Sequence, residues 1–269
     1  MAIFLSASDE TSGSTQRDPF FRAGFVAPQS DWCDFFAPAW RERVLNGPSA
    51  IPYLHMTDIR SKQWREKYGL SRREGERRVD AAFEVIDTMG SLYPIGIRTD
   101  AGFVRDQFAA SKVLLSSGAA KSFHPDFLCF LGYAYAVMLY VHKKHPEAEH
   151  VDFLVEQNGE ITKHIREFHA TLATGLAQLK RPGLSRLVGD LIPGGKDRIP
   201  LQAADVLCWH DARRVAGKLD AGDESRYYKI AHRWGFRWEW SNGTLTELAK
   251  VLGVNDRAIH GNHISPSRK

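Results

Sequence analysis

Short apolar runs and longer stretches with helical spacing alternate along this chain, and that alternation predicts an α/β protein. The short runs predict strands at 2–10, 19–28, 51–56, 92–100, 150–156 and 185–191. The longer stretches predict helices at 31–45, 59–68, 71–89, 102–116, 125–144, 161–179 and 200–209. Strands early in the chain, followed by alternating helices and strands, favour a mixed sheet with helices on both faces.

The composition is that of an ordinary folded protein. Of 269 residues, 43% are hydrophobic and 25% are charged, and the net charge of +4 is compatible with a polyanionic partner without selecting one. The three cysteines are far apart, so neither a disulfide framework nor a zinc site is predicted. The N-terminus lacks the pattern of a signal peptide, and the longest apolar stretch, 127–141, is short for a bilayer span. We expect a soluble, cytoplasmic protein that does not enter a membrane.

A polar segment around residue 220 divides the chain. We predict one α/β domain at 1–219 and a small helical C-terminal extension at 220–269. Within the extension, 244–259 fits a helix-turn-helix pattern, which we interpret as a helical hairpin, with reading of DNA as the alternative. Just before it, alternating aromatic residues at 234–240 predict a strand or a packed hairpin.

Two of the predicted strands end in carboxylates. Asp9 and Glu10 close the first apolar run, and Glu156 closes the strand at 150–156. Adjacent acids are difficult to ionise together without a cation, and a hard divalent ion such as Mg²⁺ prefers oxygen ligands. Taken singly, each residue has a simpler interpretation, an Asx turn at Asp9 and a solvated strand end at Glu156.

A further acid, Asp205, lies inside an apolar helix rich in alanine. A buried carboxylate without a partner costs on the order of several kcal/mol, so Asp205 needs a pairing group or a metal. The small side chains of Ala203 and Ala204 favour a metal site, because they let the helix approach a sheet edge closely. The alternative is a structural Asp bonded to nearby backbone or to Arg213 or Arg214. Acids at two strand ends and in one such helix together favour metal-dependent phosphodiester chemistry.

Basic residues are dense at the start of the helix predicted at 71–89. Arg72, Arg73 and Arg77 follow Trp64 and Tyr68, a combination that suits phosphate contacts with base stacking. The alternative is a solvated helix face with internal ion pairs. Nucleic acid is therefore a candidate partner.

Several of these motifs resemble those of one family. Asp9-Glu10-Thr11-Ser12-Gly13 is similar to the Asp-Glu-Ser-Gly opening of the domain of unknown function 3800 family, with Thr11 inserted. Gln202-Ala203-Ala204-Asp205 resembles the family's C-terminal Gln-x-Ala-Asp helix, and His55-Met56-Thr57-Asp58 resembles its short His-containing segment. The resemblance spans roughly residues 2–217.

This resemblance implies a ribonuclease H-like fold with an acidic centre. The centre would consist of Asp9 or Glu10 together with Glu156 and Asp205, and the inserted Thr11 leaves open which of the first two points inward. Asp58 or Asp100 would be a fourth member.

We therefore predict a divalent-metal-dependent nuclease or related phosphodiester hydrolase that uses water as nucleophile. The predicted catalytic residues are Asp9, Glu10, Glu156 and Asp205. The predicted ligands of Mg²⁺ or Mn²⁺ are Asp9, Glu156, Asp205 and Asp58. The alternative is a nucleic-acid-binding or protein-interaction module that keeps the fold without catalysis. If Asp9, Glu156 and Asp205 do not share a pocket, the enzyme prediction fails.

Overall fold

The structure is a computed structural model that describes residues 2–12, 20–47, 49–99, 112–114, 120–122, 125–157, 159–231 and 236–239. The strands are β1 (Ala2–Ser12), β2 (Phe20–Pro28), β3 (Tyr93–Thr99), β4 (Lys112–Leu114), β5 (Ala120–Ser122), β6 (Ala148–Glu156), β7 (Val188–Gly194) and β8 (Phe236–Glu239). The α-helices are α1 (Ala37–Trp40), α2 (Met56–Arg60), α3 (Lys62–Lys67), α4 (Arg72–Thr88), α5 (Pro125–Lys144), α6 (Gly159–Gln178), α7 (Pro182–Ser185), α8 (Ile199–Val215) and α9 (Ala221–Ala231). Two π-helical segments, Asp31–Phe36 and Arg41–Leu45, flank α1.

Six strands form one mixed sheet in the order β7-β6-β1-β2-β3-β8. β1, β6 and β7 are parallel, β2 is antiparallel to both of its neighbours, and β8 pairs in parallel with β3 at the edge. β4 and β5 form a separate antiparallel pair. The predicted α/β class, a mixed sheet covered by helices on both faces, is confirmed, and the arrangement is consistent with a ribonuclease H-like fold.

The central strand β2 is buried on both faces of the sheet, and its residues alternate between two cores. Phe20 and Val26 belong to the core formed with α5 and α6. Phe21 and Phe25 belong to the core formed with α4, α8 and the helical stretch at 31–45. This alternation is the two-residue period of a strand, and the apolar content of both sets explains why β2 lies inside the sheet rather than at its edge.

The strand β1 extends beyond the point at which the sequence predicted a turn. Its pairing with β2 continues from Asp9, opposite Ala23, to Ser12. Its pairing with β6 on the other side ends at Ser8, opposite Val155. Asp9 therefore lies within a strand, at the place where one edge of that strand loses its partner.

The helix α8 packs across β1 and β2. The side chains of Ala203 and Ala204 are fully buried in this contact. Small side chains allow the close approach of helix and sheet that the sequence predicted, and they bring Asp205 down to the sheet.

Three predicted elements differ in the structure. The strand predicted at 51–56 is wrong, because Pro52 cannot donate to a ladder, the N–H of Leu54 is bonded to a side chain, and Met56 begins α2. The helix predicted at 102–116 lies outside the described residues except for 112–114, which form a strand. The strand predicted at 185–191 begins only at Val188, after the short helix α7.

Parts of the predicted C-terminal extension join the main body of the fold. The helix α9 packs on α4 and α8, and β8 lengthens the sheet beside β3. The helix-turn-helix pattern at 244–259 lies outside the described residues. No helix in the described part of the chain combines the length and the apolar character needed to cross a membrane.

Candidate acidic site

Asp9, Glu156 and Asp205 line one pocket. Asp9 and Glu156 follow directly on Ser8 and Val155, which pair with each other in the parallel β1–β6 ladder. Both side chains therefore leave adjacent strands at the same level and on the same face of the sheet. Asp205 reaches this place from α8, so the convergence that the enzyme prediction requires is present.

One oxygen of the Asp205 carboxyl group is held by a hydrogen bond, and the other faces His55. Its Oδ2 accepts a hydrogen bond of 2.6 Å from the backbone N–H of Met56. Its Oδ1 lies 3.8 Å from Nε2 of His55. Arg213 and Arg214, the alternative partners, bind elsewhere, since Arg213 donates to the carbonyl of Lys218 and Arg214 lies beside Asp211.

Asp9 is only 7% exposed, and its Oδ1 is buried without a hydrogen-bond partner in the described structure. Burial raises the pKa of Asp9 well above its ordinary value, and the nearby charges of Asp205, Glu10 and Glu156 raise it further. Burial also raises the pKa of Asp205, against the opposing effects of His55, Met56 and a hydrogen bond from Asp9. Two carboxyl groups in such contact share a proton unless a cation takes its place.

Glu10 lies on the opposite face of the sheet, because successive residues of a strand point in opposite directions. There its Oε2 accepts a hydrogen bond of 2.6 Å from the fully buried guanidinium of Arg22. Arg22 also donates to Asp126, at 2.5 Å, and to the hydroxyl of Ser8. The prediction of Glu10 as a catalytic residue is therefore corrected. Of the two adjacent acids, Asp9 is the one that enters the pocket.

Two basic side chains, those of Lys196 and His55, also line the pocket. Nζ of Lys196 lies 3.2 Å from Oδ2 of Asp58 and 3.3 Å from Nδ1 of His55. Asp58 thus pairs with a lysine and does not line the pocket with the other acids. Asp100, the other suggested fourth member, lies outside the described residues.

Gln202 connects three segments of the pocket through one buried amide. Its Oε1 accepts hydrogen bonds from Nε1 of Trp40, at 2.8 Å, and from the backbone N–H of Leu54, at 3.0 Å. Its Nε2 donates to the carbonyl oxygen of Lys196, at 2.9 Å. Gln202 therefore fixes the backbone on both sides of the site.

The roles of Gln202 and Lys196 were missed in the sequence. Gln202 belongs to one of the family-like motifs, and Lys196 lies between the strand predicted at 185–191 and the helix predicted at 200–209. A lysine two residues after the end of β7, facing two strand-end acids, is the signal that could have found it.

The residues at the pocket fit a divalent cation by their chemistry more than by their present positions. Three carboxylates provide the oxygen donors that Mg²⁺ and Mn²⁺ prefer, and Oδ1 of Asp9 has no hydrogen-bond partner in the part of the chain that the structure describes. Among the residues that the structure describes, however, no three His, Cys, Asp or Glu side chains stand in position to hold one ion together. The structure thus supplies the donors but not a complete set of ligands.

The basic residues of α4 divide into an exposed and a buried set. Arg72, Arg73 and Arg77 are exposed, so their nucleic-acid role stays a prediction. Arg78 is buried and donates hydrogen bonds to the carbonyls of Val44, Asn46 and Ser49. It stabilises the end of the preceding helical stretch.

Comparisons with protein-family models, with curated proteins and with solved structures found no match to this chain. The interpretation of the site therefore depends on the geometry of the residues themselves.

Proposed function

We propose that this protein is a divalent-metal-dependent phosphodiester hydrolase of the nuclease type. The observation that carries the proposal is the buried Oδ1 of Asp9, which has no hydrogen-bond partner among the described residues and lies in a pocket lined also by Asp205 and Glu156. We also propose that the chain belongs to the domain of unknown function 3800 family. The positions of Asp9 and Asp205, the acids of two of the three quoted motifs, in one pocket support this assignment.

Asp9 and Asp205 would hold the metal ion, with Glu156 as the third carboxylate of the same pocket. The bound ion would supply Lewis-acid activation of the phosphate and of a water nucleophile. Burial and the neighbouring acids raise the pKa of Asp9 and so favour its protonated form. Metal binding is therefore expected to release a proton from this pair.

Lys196 and His55 would act on the substrate rather than on the metal. The ammonium group of Lys196 lines the pocket and carries a positive charge suited to a phosphate oxygen. His55 faces Asp205 with Nε2, while its Nδ1 lies 3.2 Å from Oδ2 of Asp58. This contact orients the ring so that Nε2 can hold a water molecule or an oxygen atom of the substrate by a hydrogen bond.

A second candidate function is binding of nucleic acid or of a protein without catalysis. It is favoured by the lack of three metal-ligating side chains in position among the described residues. A site whose acids serve only to position α8 against the sheet would have the same contacts between Asp205 and Met56.

The test is calorimetric titration of Mn²⁺ into the wild-type protein and into the variants Asp205→Asn and Asp34→Asn. Asn preserves the size of Asp205 and its acceptor for Met56, and Asp34 is an exposed acid on the first helical segment that serves as control. Cleavage of single-stranded and double-stranded RNA and DNA is measured on the same samples. We expect the wild type and Asp34→Asn to bind Mn²⁺ and cleave, and Asp205→Asn to lose both. Equal Mn²⁺ binding by all three proteins would refute the proposal and favour the binding module.

A further inference from the structure

A second cavity, of about 290 Å³, lies at the other end of α8. It is formed by the C-terminal part of α8, by β3 and by the edge strand β8. Its charged side chains are Arg98, Arg214, Arg237, Asp211 and Glu239. The volume corresponds to roughly ten water molecules at about 30 Å³ each, which is enough for a phosphate group with part of a sugar.

One row of paired residues, which runs across the sheet from strand to strand, connects this cavity with the acidic site. Asp9 pairs with Ala23 of β2, and Ala23 pairs with Gly96 of β3. Gly96 pairs in turn with Arg237 of β8. Three steps between neighbouring strands, at about 4.8 Å each, place the two sites about 14 Å apart.

The helix α8 gives the same separation independently. It carries Asp205 at the acidic site and Arg214 at the cavity, nine residues further on. At about 1.5 Å per residue, this spacing is again about 14 Å. Arg237 contacts Asp211 of the same helix, so both sites lie on the face of the sheet that α8 covers.

The acidic side chains of the cavity do not pair equally with its three arginines. Asp211 is buried, and it accepts hydrogen bonds from the hydroxyl of Tyr227, at 2.9 Å, and from Arg237. Arg214 lies 3.7 Å from the same oxygen of Asp211, and its buried Nε has no hydrogen-bond partner among the described residues. Asp211 therefore anchors Arg237 and leaves Arg214 incompletely bonded among the described residues.

The third arginine, Arg98, is bonded to a surface acid. Its side chain is 40% exposed and that of its partner Glu239 is 54% exposed, so the pair is weak and can exchange for another anion. The crowding of positive charge also acts on Arg237. Burial lowers the pKa of Arg237, Asp211 opposes this effect, and the like charges of Arg214 and Arg98 lower the pKa further.

We propose that this cavity binds a phosphate group through Arg98, Arg214 and Arg237. Guanidinium groups present paired N–H donors that match the oxygens of a phosphate, and an added anion would relieve the repulsion among the three arginines. The phosphate is that of a free nucleotide or that of a nucleic-acid strand. A strand advances by about 3.4 Å per phosphate in a B-form helix, so about four nucleotides would span the distance to the acidic site. Because the two sites lie on one row of paired residues across the sheet, a nucleic-acid strand is favoured over a free nucleotide as the source of the phosphate. This preference for a strand rests on the proposed function.

The test compares Arg98→Gln with Arg43→Gln. Arg43 also pairs with a surface glutamate, and its pair with Glu84 has side-chain exposures of 40% and 51%, so both variants lose one positive charge from a matched environment. Binding of a fluorescein-labelled single-stranded octanucleotide and of a labelled dinucleotide is followed by fluorescence anisotropy in EDTA. Inorganic phosphate is added as competitor.

We expect the Kd for the octanucleotide to rise about tenfold in Arg98→Gln and less than twofold in Arg43→Gln. The slope of log K against log salt should fall by about 0.7 in Arg98→Gln only, as for the loss of one phosphate contact on a single strand. Arg214→Gln should behave like Arg98→Gln. Equal effects of Arg98→Gln and Arg43→Gln, or no competition by inorganic phosphate, would overturn the proposal.

The dinucleotide separates the two sources of phosphate. Tighter binding of the octanucleotide than of the dinucleotide, lost in Arg98→Gln, supports a strand that reaches both sites. Equal binding of the two probes overturns the strand as source. Because EDTA removes metal ions and prevents metal-dependent hydrolysis, failure of the hydrolase proposal would leave the result on the phosphate cavity unchanged.

Discussion

The backbone N–H of Met56 and the carboxyl group of Asp205 are joined by a hydrogen bond of 2.6 Å. This bond occupies Oδ2, so Oδ1 is the oxygen turned toward His55. It also connects the first residue of α2 to the middle of α8. The orientation of the acid is therefore set by tertiary structure before any ligand binds, as is required of a preorganised site.

Replacement of Asp9 by Asn should stabilise the metal-free protein at neutral pH. Because the pKa of Asp9 is raised by folding, the native state binds more protons than the unfolded state above the ordinary pKa of about 3.9, and stability falls as the pH rises. Asn removes this dependence. We expect a higher Tm for Asp9→Asn than for the wild type at pH 7 and equal values near pH 3, measured by thermal unfolding in EDTA.

The wild type and Asp9→Asn also test whether the destabilising effect of Asp9 is linked to metal binding. Added Mn²⁺ should raise the Tm of the wild type and leave that of Asp9→Asn unchanged, because only a ligand of the native state stabilises it. Each kcal/mol corresponds to about 2–4 °C in a chain of this size. A wild-type Tm that does not fall relative to the variant between pH 4 and pH 7 would contradict the assignment of a raised pKa.

Replacement of Gln202 by Met should destabilise the protein and loosen the site. Met fills the same volume but leaves the indole N–H of Trp40, the N–H of Leu54 and the carbonyl of Lys196 without their partner. Each buried group left unsatisfied costs about 1–3 kcal/mol, so we expect a loss of about 3 kcal/mol or more in urea unfolding. The control Gln157→Met alters an exposed side chain and should stay within about 0.5 kcal/mol of the wild type. Similar losses in both variants would show that the three bonds contribute little.

Replacement of Arg22 by Met should be among the most damaging single changes. It would leave the buried acids Glu10 and Asp126 facing each other without the guanidinium between them. Breaking a buried ion pair in this way costs about 3–5 kcal/mol, whereas the exposed pair of Arg43 with Glu84 should contribute less than about 1 kcal/mol. Urea unfolding of Arg22→Met and Arg43→Met measures the contrast.

The variant Glu10→Gln tests whether Glu10 contributes only to stability or also to metal binding. Since Glu10 lies on the face opposite to the pocket, this protein should bind Mn²⁺ with the affinity of the wild type even if its stability falls. Loss of Mn²⁺ binding in Glu10→Gln at a temperature where the protein is folded would contradict the placement of Glu10 outside the site.

Replacement of Gly24 by Ala should disturb the sheet next to the acidic site. Gly24 pairs with Ser8, and a Cβ at this position would overlap the carbonyl oxygen of Ala7. The backbone would have to move beside Asp9. We expect a lower Tm and weaker Mn²⁺ binding for Gly24→Ala, and neither effect for Gly90→Ala, whose Cβ would meet no atom within 4 Å. An unchanged Tm in Gly24→Ala would mean that β1 and β2 separate at little cost.

The spacing of apolar residues was sufficient to predict the strands and helices in which that spacing is regular. The strand at β2 and the helix at α5 are close to their predicted bounds, because apolar residues at regular spacing report local structure directly. The choice between Asp9 and Glu10 could not be made in this way. Either acid can face either side until the positions of α5 and α8 relative to the sheet are known.

Contacts between distant segments explain the predictions that failed. The segment at 51–56 has the composition of a strand, but its N–H at Leu54 is taken by Gln202, which is nearly 150 positions away. The position of Lys196 also depends on Gln202, because the side chain of Gln202 donates a hydrogen bond to the backbone carbonyl of Lys196. No local window contains both ends of these bonds.

The parallel pairing of β1 with β6 has a consequence for the order of events during synthesis. β1 is synthesised well before β6, and α8 follows later still. β1 must therefore wait beside β2, its antiparallel neighbour, with one edge uncovered. Pairing of such distant segments is slow to form, and the uncovered edge is open to association with other chains in the interval. The acidic pocket comes into being only when α8 docks, so a nascent chain that ends before Asp205 carries no complete centre.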